Sequence, residues 1–250
     1  MFKEERCEEI LKILKENGFS TVKNLSDKLH YSPATIRRDL VYMKQKGMIE
    51  KSYGGATPSN TGKFNVLPYE LRKHNFTEEK KHIAKIAASL IRDNQVIFID
   101  GSTTAACMIE YLSSKSGITV ITNNLENCIL LQRRGIRCYC TGGELSAASP
   151  IFFGSVACAA LSSLNTDIMF FSSKSLSSNG VISEYSETIS EPIKYAMQNS
   201  AKTVYLADSS KIGTSSMFNI CTLSEINTVI SEIDISNRFD KSFVTVEFLF

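Results

Sequence analysis

Between residues 96 and 248 one pattern recurs: a short unbroken apolar run, a polar turn, then a helical segment. The runs are Val96–Ile99, 118–121, 136–140, Ile168–Phe171 and Thr203–Leu206, with later ones near Val229 and at 243–248. They are rich in β-branched and aromatic residues, which suit strands. Their hydrophobicity is continuous rather than alternating, as in strands covered on both faces. Helical segments at 105–112, Leu125–Arg133, 155–163 and 189–198 lie between most of them. Strands that alternate with helices imply an α/β fold, a mostly parallel sheet wrapped by helices. A further helix is expected from Glu78, capped by Thr77, with Ile83, Ile86, Ala87, Leu90 and Ile91 forming its buried stripe.

The turns after the strands carry the next clue. They read Asp100-Gly101-Ser102-Thr103-Thr104, Thr122-Asn123-Asn124, Thr141-Gly142-Gly143 and Ala207-Asp208-Ser209-Ser210-Lys211. In a parallel sheet all four emerge at one edge, where ligands bind in open α/β folds. In the first turn Gly101 lets backbone approach a ligand, and Ser102, Thr103 and Thr104 bring hydroxyls and N–H groups to a helix start, an anion site. A phosphate is expected there, with Lys211 as counter-charge and Asp100 or Asp208 available for sugar hydroxyls. Plain helix capping by Ser102 and Thr103 is the competing explanation.

The first sixty residues follow a different plan. Cys7, Ile10, Leu11 and Leu14 form an apolar stripe on a helix spanning 3–16 that Asn17-Gly18 ends. Thr21 caps a second helix with Val22, Leu25 and Leu29 buried, and His30-Tyr31 turns into a third. There Ser32 is the cap, Pro33 takes the first helical position, and Ile36, Leu40 and Met43 share the core face. Ala34, Arg38 and Gln45 point the opposite way, flanked by Thr35 and Arg37: a small residue, a hydroxyl and two guanidiniums suited to base edges and phosphates. Gly47 stops this helix, 48–53 reads as a strand, and Gly54-Gly55 as a hairpin turn, making a wing on which Lys51 reaches a backbone phosphate. The whole is a winged helix-turn-helix. Residues 1–60 hold 11 Lys and Arg against 8 Asp and Glu, a net of +3 where the whole chain carries +2, so the basic bias is modest and local.

No apolar run approaches the roughly 18 residues of a membrane span, and the charged, helical N-terminus is unlike a signal peptide. The seven cysteines are scattered, and the close pair Cys138/Cys140 has no second Cys/His pair at ligand spacing. Reduced thiols in a cytoplasmic protein, with no metal and no cofactor, are expected. The domains are expected at 1–57 (DNA binding), 58–76 (linker, starting from the Thr57-Pro58-Ser59-Asn60-Thr61-Gly62 stretch) and 77–250 (effector binding and oligomerisation). The apolar cluster 64–69 is expected to pack back on the body.

The chain resembles the DeoR-type bacterial transcription regulators over nearly its whole length. Thr35-Ile36-Arg37-Arg38-Asp39-Leu40, then Gly47 and Gly54-Gly55-Ala56, match that family's winged helix-turn-helix. Tyr69-Glu70-Leu71-Arg72 and Lys80 through Ile83-Ala84 resemble its joining segment. The four strand-end turns, including Asp208-Ser209-Ser210-Lys211, resemble its effector domain. The resemblance implies a domain similar in fold to ribose-5-phosphate isomerase that senses a phosphorylated sugar or sugar derivative, and effector binding that relieves repression of a catabolic operon. The sequence departs from the family after Ile168–Phe171, where small residues are usual but Ser172-Ser173-Lys174-Ser175-Leu176 stands. Lys174 is then either an added phosphate contact or a solvated loop lysine.

Three functions were open at this level. A ligand-controlled regulator is expected to be a homo-dimer or tetramer on double-stranded operator DNA, with recognition helices about one DNA turn apart. A sugar-phosphate isomerase needs a positioned carboxylate, and the paired acids expected after Ile168–Phe171 are absent; Glu184 and Glu187 have no evident partner in the sequence. The third is a regulator whose α/β domain only oligomerises, against which the four polar turns argue.

Overall fold

The computed structural model describes residues 3–52, 54–58, 69–239 and 246–250 and divides into two compact units, Met1–Asn75 and Phe76–Phe250. The first unit contains α1 (Lys3–Asn17), β1 (Ser20–Thr21), α2 (Val22–Leu29), α3 (Pro33–Gln45), β2 (Ile49–Ser52), β3 (Gly55–Pro58) and α4 (Tyr69–His74). Thr21 caps α2 by accepting the Asn24 N–H, and Ser32 caps α3 by accepting the Thr35 N–H, with Pro33 at the first position. Cys7, Ile10, Leu14, Leu25, Ile36, Leu40, Met43 and Ile49 pack into one core, while Val22 and Leu29 are half-buried at its margin. The antiparallel β2–β3 hairpin is the wing, and β1 pairs with β3 beyond it. That second pairing needs Gly55, since a Cβ there would stand 2.3 Å from the Ser20 carbonyl oxygen.

A buried ion pair ties α1 to α3. Arg6 Nε donates to Asp39 Oδ2 at 2.6 Å and its Nη2 to Oδ1 at 3.0 Å, with the guanidinium 4.8 Å from the Tyr31 ring centroid. The Arg37-Arg38-Asp39 run is therefore split by the helix period: two guanidiniums face solvent and the carboxylate faces the core. The second wing strand runs on to Pro58, into the stretch read as linker, and residues 59–68 lie outside the described residues. Tyr69, from the cluster expected to pack on the body, is buried in the first unit on α4, which packs against α1.

The second unit runs α5 (Thr77–Ser89), β4 (Val96–Ile99), α6 (Thr103–Ala106), a 3-10 turn (Cys107–Ser114), β5 (Thr119–Thr122), α7 (Leu125–Arg133), β6 (Arg137–Cys140), β7 (Glu144–Leu145), β8 (Phe152–Phe153), α8 (Gly154–Ser162), β9 (Ile168–Phe171), β10 (Ser175–Leu176), β11 (Val181–Glu184), α9 (Glu187–Gln198), β12 (Thr203–Leu206), β13 (Phe218–Thr222), β14 (Thr228–Ile230) and β15 (Glu247–Leu249). Seven strands form a parallel sheet in the order β15-β14-β12-β9-β4-β5-β6. The chain steps outward from β4 to β6, returns to the other side of β4, and steps outward again from β9 to β15. The direction reverses between β4 and β9, the crevice where open α/β sheets hold ligands. Successive residues face opposite layers. Phe98, Met169, Phe171 and Tyr205 pack with Leu161, Ile193 and Ala196, whereas Ile97, Ile99, Phe170 and Leu206 pack with Ile83, Ala87, Met108 and Leu131. Both faces are covered, which explains the unbroken apolar runs.

Two local expectations need correction. Thr77 is not the cap of α5 but its first residue; Phe76, in the left-handed region at φ 53°, precedes it with no side-chain cap. The helix expected at 105–112 is one α-turn, capped by Ser102, that tightens into 3-10 geometry. The small antiparallel sheet β10-β11-β13 and the β7–β8 hairpin were not anticipated. Of the apolar tail, Glu247–Leu249 pairs with β14 as an outer strand of the sheet, and residues 240–245 lie outside the described residues.

Replacing Asp39 with Ala strands the Arg6 charge and is expected to lower the stability of the helix-turn-helix unit by about 3 kcal/mol. The double variant Arg6→Met/Asp39→Leu is expected to regain most of that. Chemical denaturation of the full chain followed by circular dichroism checks both; an unmoved midpoint in Asp39→Ala means the pair does not hold α1 to α3.

Candidate functional site

Two groups of residues meet the requirements read from the sequence, one in each unit. On α3, Ala34, Arg37, Arg38 and Gln45 are exposed and Thr35 is half-buried, while Ile36, Leu40 and Met43 are fully buried. Among the described residues neither Arg37 nor Arg38 makes an ion pair, in contrast to Arg6. Thr21 and Ser32 are exposed caps, and the Ser32 and Thr35 hydroxyls lie 2.9 Å apart. Each local role fixes the start of a helix and leaves the hydroxyl at the surface. Lys51 is exposed on β2. A small-residue, two-guanidinium face on the second helix of the motif is what major-groove reading uses.

The second group lies at the carboxyl-terminal edge of the parallel sheet. Lys211 Nζ donates to Ser172 Oγ at 2.6 Å and to Thr104 Oγ1 at 3.3 Å, and stands 3.4 Å from Asp208 Oδ2. One ammonium therefore joins the turns after β4, β9 and β12. Asp100 is buried beside it and accepts from Ser102 N at 3.1 Å, Ser102 Oγ at 2.5 Å and Ser172 N at 3.2 Å. The last bond spans the reversal between β4 and β9. Ser102 Oγ also accepts the Ala105 N–H, so Ser102 does cap α6, as the competing explanation held. Thr103 and Thr104 are buried at the same turn, and Ser210 Oγ donates to Asp208 Oδ1.

The β5 turn completes the rim. Asn124 caps α7 through the Glu126 and Asn127 N–H groups, and its Nδ2 reaches the Gly101 carbonyl at 3.3 Å. Thr122 Oγ1 accepts from Asn124 N and Asn127 Nδ2, and Asn123 Nδ2 donates to the Phe152 carbonyl. A strand-end flap formed by Gly142, Gly143 and the β7–β8 hairpin returns over this edge. Its Phe152 N–H binds the Asn123 carbonyl, and Ile151 lies so close to Gly101 that a Cβ there would stand 2.6 Å from Ile151 Cγ1. Gly101 thus serves a packing need at the rim as well as backbone exposure. Lys174 is exposed, and it is the buried Ser172 and Ser173 of its turn that reach inward.

Burial pushes the Asp100 carboxyl up to about 6, against the pull of its Ser102 and Ser172 bonds and the Lys211 charge. Burial would also raise Asp208, but the Lys211 ammonium, the Ser210 hydroxyl and the Lys80 charge outweigh it and hold Asp208 below its ordinary value. The signs for stability are opposite. From the ordinary aspartate value up to about 6 the folded chain keeps a proton on Asp100 that the unfolded chain has released, so this contribution falls as pH rises. The Asp208 contribution is present at neutral pH and is lost as pH falls through its lowered value.

Two residues of this region were not singled out as site residues from the sequence. Lys80 on α5 is 3% exposed and acts on Asp208 from the layer beneath. Its signal was legible: it falls on the same face as Ile83, Ala84 and Ala87, where an apolar residue is the rule. Asn127, fully buried on α7, donates to the Asp100 carbonyl and Thr122 Oγ1; nothing in its local sequence marks it. Glu184 is buried on β11, where it accepts the Tyr185 N–H and acts electrostatically on Tyr205, whose hydroxyl meets Ser173 of the β9 turn. Among the described residues no group of three or more His, Cys, Asp or Glu is arranged to hold a metal ion, and no helix is long and apolar enough to cross a membrane.

Two family models match this chain. The DeoR-like helix-turn-helix domain matches residues 6–61 and the DeoR C terminal sensor domain matches residues 75–232. The lactose phosphotransferase system repressor of Staphylococcus aureus (strain NCTC 8325 / PS 47) is 31% identical over 252 residues, covering 98% of this chain and 99% of that protein. The protein of the same name from Streptococcus mutans serotype c is 30% identical over 245 residues, 96% of each chain. Among solved structures, the Pyrococcus horikoshii translation initiation factor eIF-2B covers 92% of this chain and 88% of its own at TM-score 0.51 and 15% identity, a likeness of fold alone. A D-ribose-5-phosphate isomerase aligns over 55% of each chain at TM-score 0.43 and 18% identity. With a helix-turn-helix model matched at one end, a sensor-domain model over most of the rest and full-length relatives, the chain belongs to the DeoR family of transcriptional regulators.

Proposed function

We propose that this chain represses a carbohydrate-catabolic operon in the cytoplasm and that a phosphorylated sugar or sugar derivative, bound at the sheet rim, modulates its grip on operator DNA. The carrying observation is the Lys211 ammonium, which joins three strand-end turns at the sheet's topological reversal beside the buried Asp100. The relatives' names, lactose phosphotransferase system repressor, support the sugar-linked repressor reading. Thr103 and Thr104 with Lys211 make the phosphate end of the site, with Gly101, Ser102, Asp208 and Ser210 framing it. Thr122, Asn123 and Asn124 make the neutral end, with the Gly142-Gly143 turn of the neighbouring β6 beside them and Asp100 between the two ends. The DNA face comprises Ala34, Thr35, Arg37, Arg38, Gln45 and Lys51, with Thr21 and Ser32 at the helix starts. A pseudo-palindromic operator calls for a homo-dimer or tetramer that presents two such faces about one DNA turn apart. The proposed functional division is 1–57, 58–76 and 77–250, with the last wing residue, Pro58, and α4 inside the joining segment though both belong to the first compact unit.

The β9 turn lacks the paired acids that an isomerase is expected to carry there. The β9 turn reads Ser172-Ser173-Lys174-Ser175, and its inward groups are hydroxyls bonded to Leu206, Tyr205 and Ser175.

Arg37→Ala and Arg38→Ala are each expected to weaken specific operator binding at fixed salt by about 1–3 kcal/mol where the side chain meets a base. Lys51→Ala is expected to weaken binding evenly across sequences and to reduce its salt dependence. Unchanged affinity in both arginine variants removes α3 from the interface.

A panel of sugar phosphates tested for thermal stabilisation and for release of the protein from its promoter DNA checks the sensing half. A ligand at 100 times its Kd adds about 2.7 kcal/mol. Lys211→Met is expected to abolish that shift and leave operator affinity intact; a full shift in this variant sinks the proposed site.

The Asp100 carboxyl, followed by carbon NMR, is expected to titrate near 6. Its midpoint moves higher in Lys211→Met, which removes a positive neighbour, and higher again in wild type when a phosphate dianion is added. A midpoint indifferent to the dianion places the anion elsewhere.

A further inference from the structure

Three of the seven cysteines gather on one side of the outermost strand, β6. Cys138 and Cys140 are two residues apart and project to the same face of the strand. Cys138 packs against the layer beneath α7, and its Sγ donates to the Cys128 carbonyl of α7 at 3.7 Å. This places Cys128 over the same face. No disulfide links them: Cys140 is exposed, and Cys128 and Cys138 are half-buried.

The three thiols are not equivalent. Interaction with Cys128 lowers the Cys140 thiol, and the Gly142 and Thr141 N–H groups add to this, so that it ionises at about 6. The same partner interaction pushes Cys128 well above the ordinary thiol value, and burial raises Cys138. The exposed Cys140 is thus the accessible and more readily ionised thiol of the pair and stands beside Cys128, the arrangement in which a nucleophile meets a resolving partner. Cys138 is a poor resolver. Positions two apart on a strand are about 6.6 Å apart along the chain and their Cβ vectors run parallel, whereas a disulfide needs them to converge.

We propose that Cys140 and Cys128 form a reversible oxidation site for hydroperoxides, whose disulfide fastens α7 to the turn at Thr141-Gly142-Gly143. The Cys140 thiolate attacks a peroxide oxygen, the O–O bond breaks, water (or an alcohol) leaves, and a sulfenic acid forms. Cys128 sulfur then attacks the Cys140 sulfur, the S–S bond forms, the S–O bond breaks, and water leaves. Two thiols are oxidised by two electrons and one peroxide is reduced. A dithiol reverses the step by exchange and becomes a disulfide itself.

The disulfide bears on the rim because α7 starts at Asn124 and carries Asn127, both bonded to the turn after β4. Fastening α7 to the strand-end flap restricts the neutral end of the site. This consequence rests on the effector reading above; the oxidation chemistry does not.

The test treats reduced full-length protein with hydrogen peroxide, quenches with N-ethylmaleimide and maps peptides by mass. A Cys128–Cys140 link is expected, with Cys140 reacting about tenfold faster at neutral pH than Cys107 or Cys158. Cys128→Ser is expected to leave a Cys140 sulfenic acid that dimedone traps, and Cys138→Ser to leave the link unchanged. A link that joins Cys138 instead, or a Cys140 no more reactive than the others, overturns the proposal. Effector affinity is then compared in the oxidised and reduced protein. A several-fold change reversed by dithiothreitol supports the coupling, and equal affinity removes it while leaving the disulfide standing. Absence of effector binding in the reduced protein instead counts against the sensing site itself.

Discussion

The Lys211 ammonium reaches across the carboxyl-terminal edge of the sheet to Ser172 and Thr104, while its own turn supplies Asp208. A half-buried cation is tolerated only with such partners. Here the partners come from the strand ends on either side of the topological reversal, so one side chain ties together the turns that follow β4, β9 and β12, strands already aligned by their backbone ladders. Asp100 adds the complementary constraint, taking N–H groups from its own turn and from Ser172. Local charge follows from these four groups. With Asp208 ionised and Lys80 and Lys211 cationic, the balance is positive when Asp100 holds its proton and neutral when it does not. An arriving dianion favours the protonated state, so Asp100 can take up a proton as the anion binds and avoid placing two negative charges together.

In the first unit, propensity and packing agree. Thr21 and Ser32 cap, Pro33 starts a helix, and Ile36, Leu40 and Met43 form its stripe, so the period alone locates the exposed guanidiniums. The parallel strands were legible for a related reason: burial on both faces makes a run such as Ile168–Phe171 apolar throughout. Elements of two residues, β1, β7, β8 and β10, carry no period to detect. The position of Thr77 was misjudged because hydroxyl residues favour caps, yet the chain enters α5 through Phe76 in the left-handed region. Of the site, the turn residues were legible because polar loops after apolar strands stand out. Asn127 was not, because it sits inside a helix and its importance comes from the Asp100 carbonyl and Thr122 hydroxyl that the fold brings to it.

Regulation by an effector requires that it interact differently with the DNA-competent and DNA-released states, since equal affinity shifts nothing. Linkage makes the effect reciprocal: whatever factor the effector takes from operator affinity, operator DNA takes from effector affinity. A coupling of about 1–3 kcal/mol suffices for a 5- to 150-fold change, no more than one or two charge-assisted hydrogen bonds supply. The rim is made of such bonds, and Lys211 alone engages three groups.

The rim is also incompletely satisfied. Three buried side-chain polar atoms have no partner among the described residues, and two of them, Asn123 Oδ1 and Asn127 Oδ1, belong to the turn after β5 and the first turn of α7. An unpaired buried acceptor costs about 1–3 kcal/mol, and a fold that needed only stability would not place two so close together. Both are acceptors, so the missing partner is a donor, which a hydroxyl supplies. An effector with an anionic group toward Lys211 and hydroxyls toward Asn123 and Asn127 would answer both ends of the rim. On the proposed effector reading, a simple phosphate would meet only the first, and the two amides would discriminate between sugar phosphates and phosphate itself.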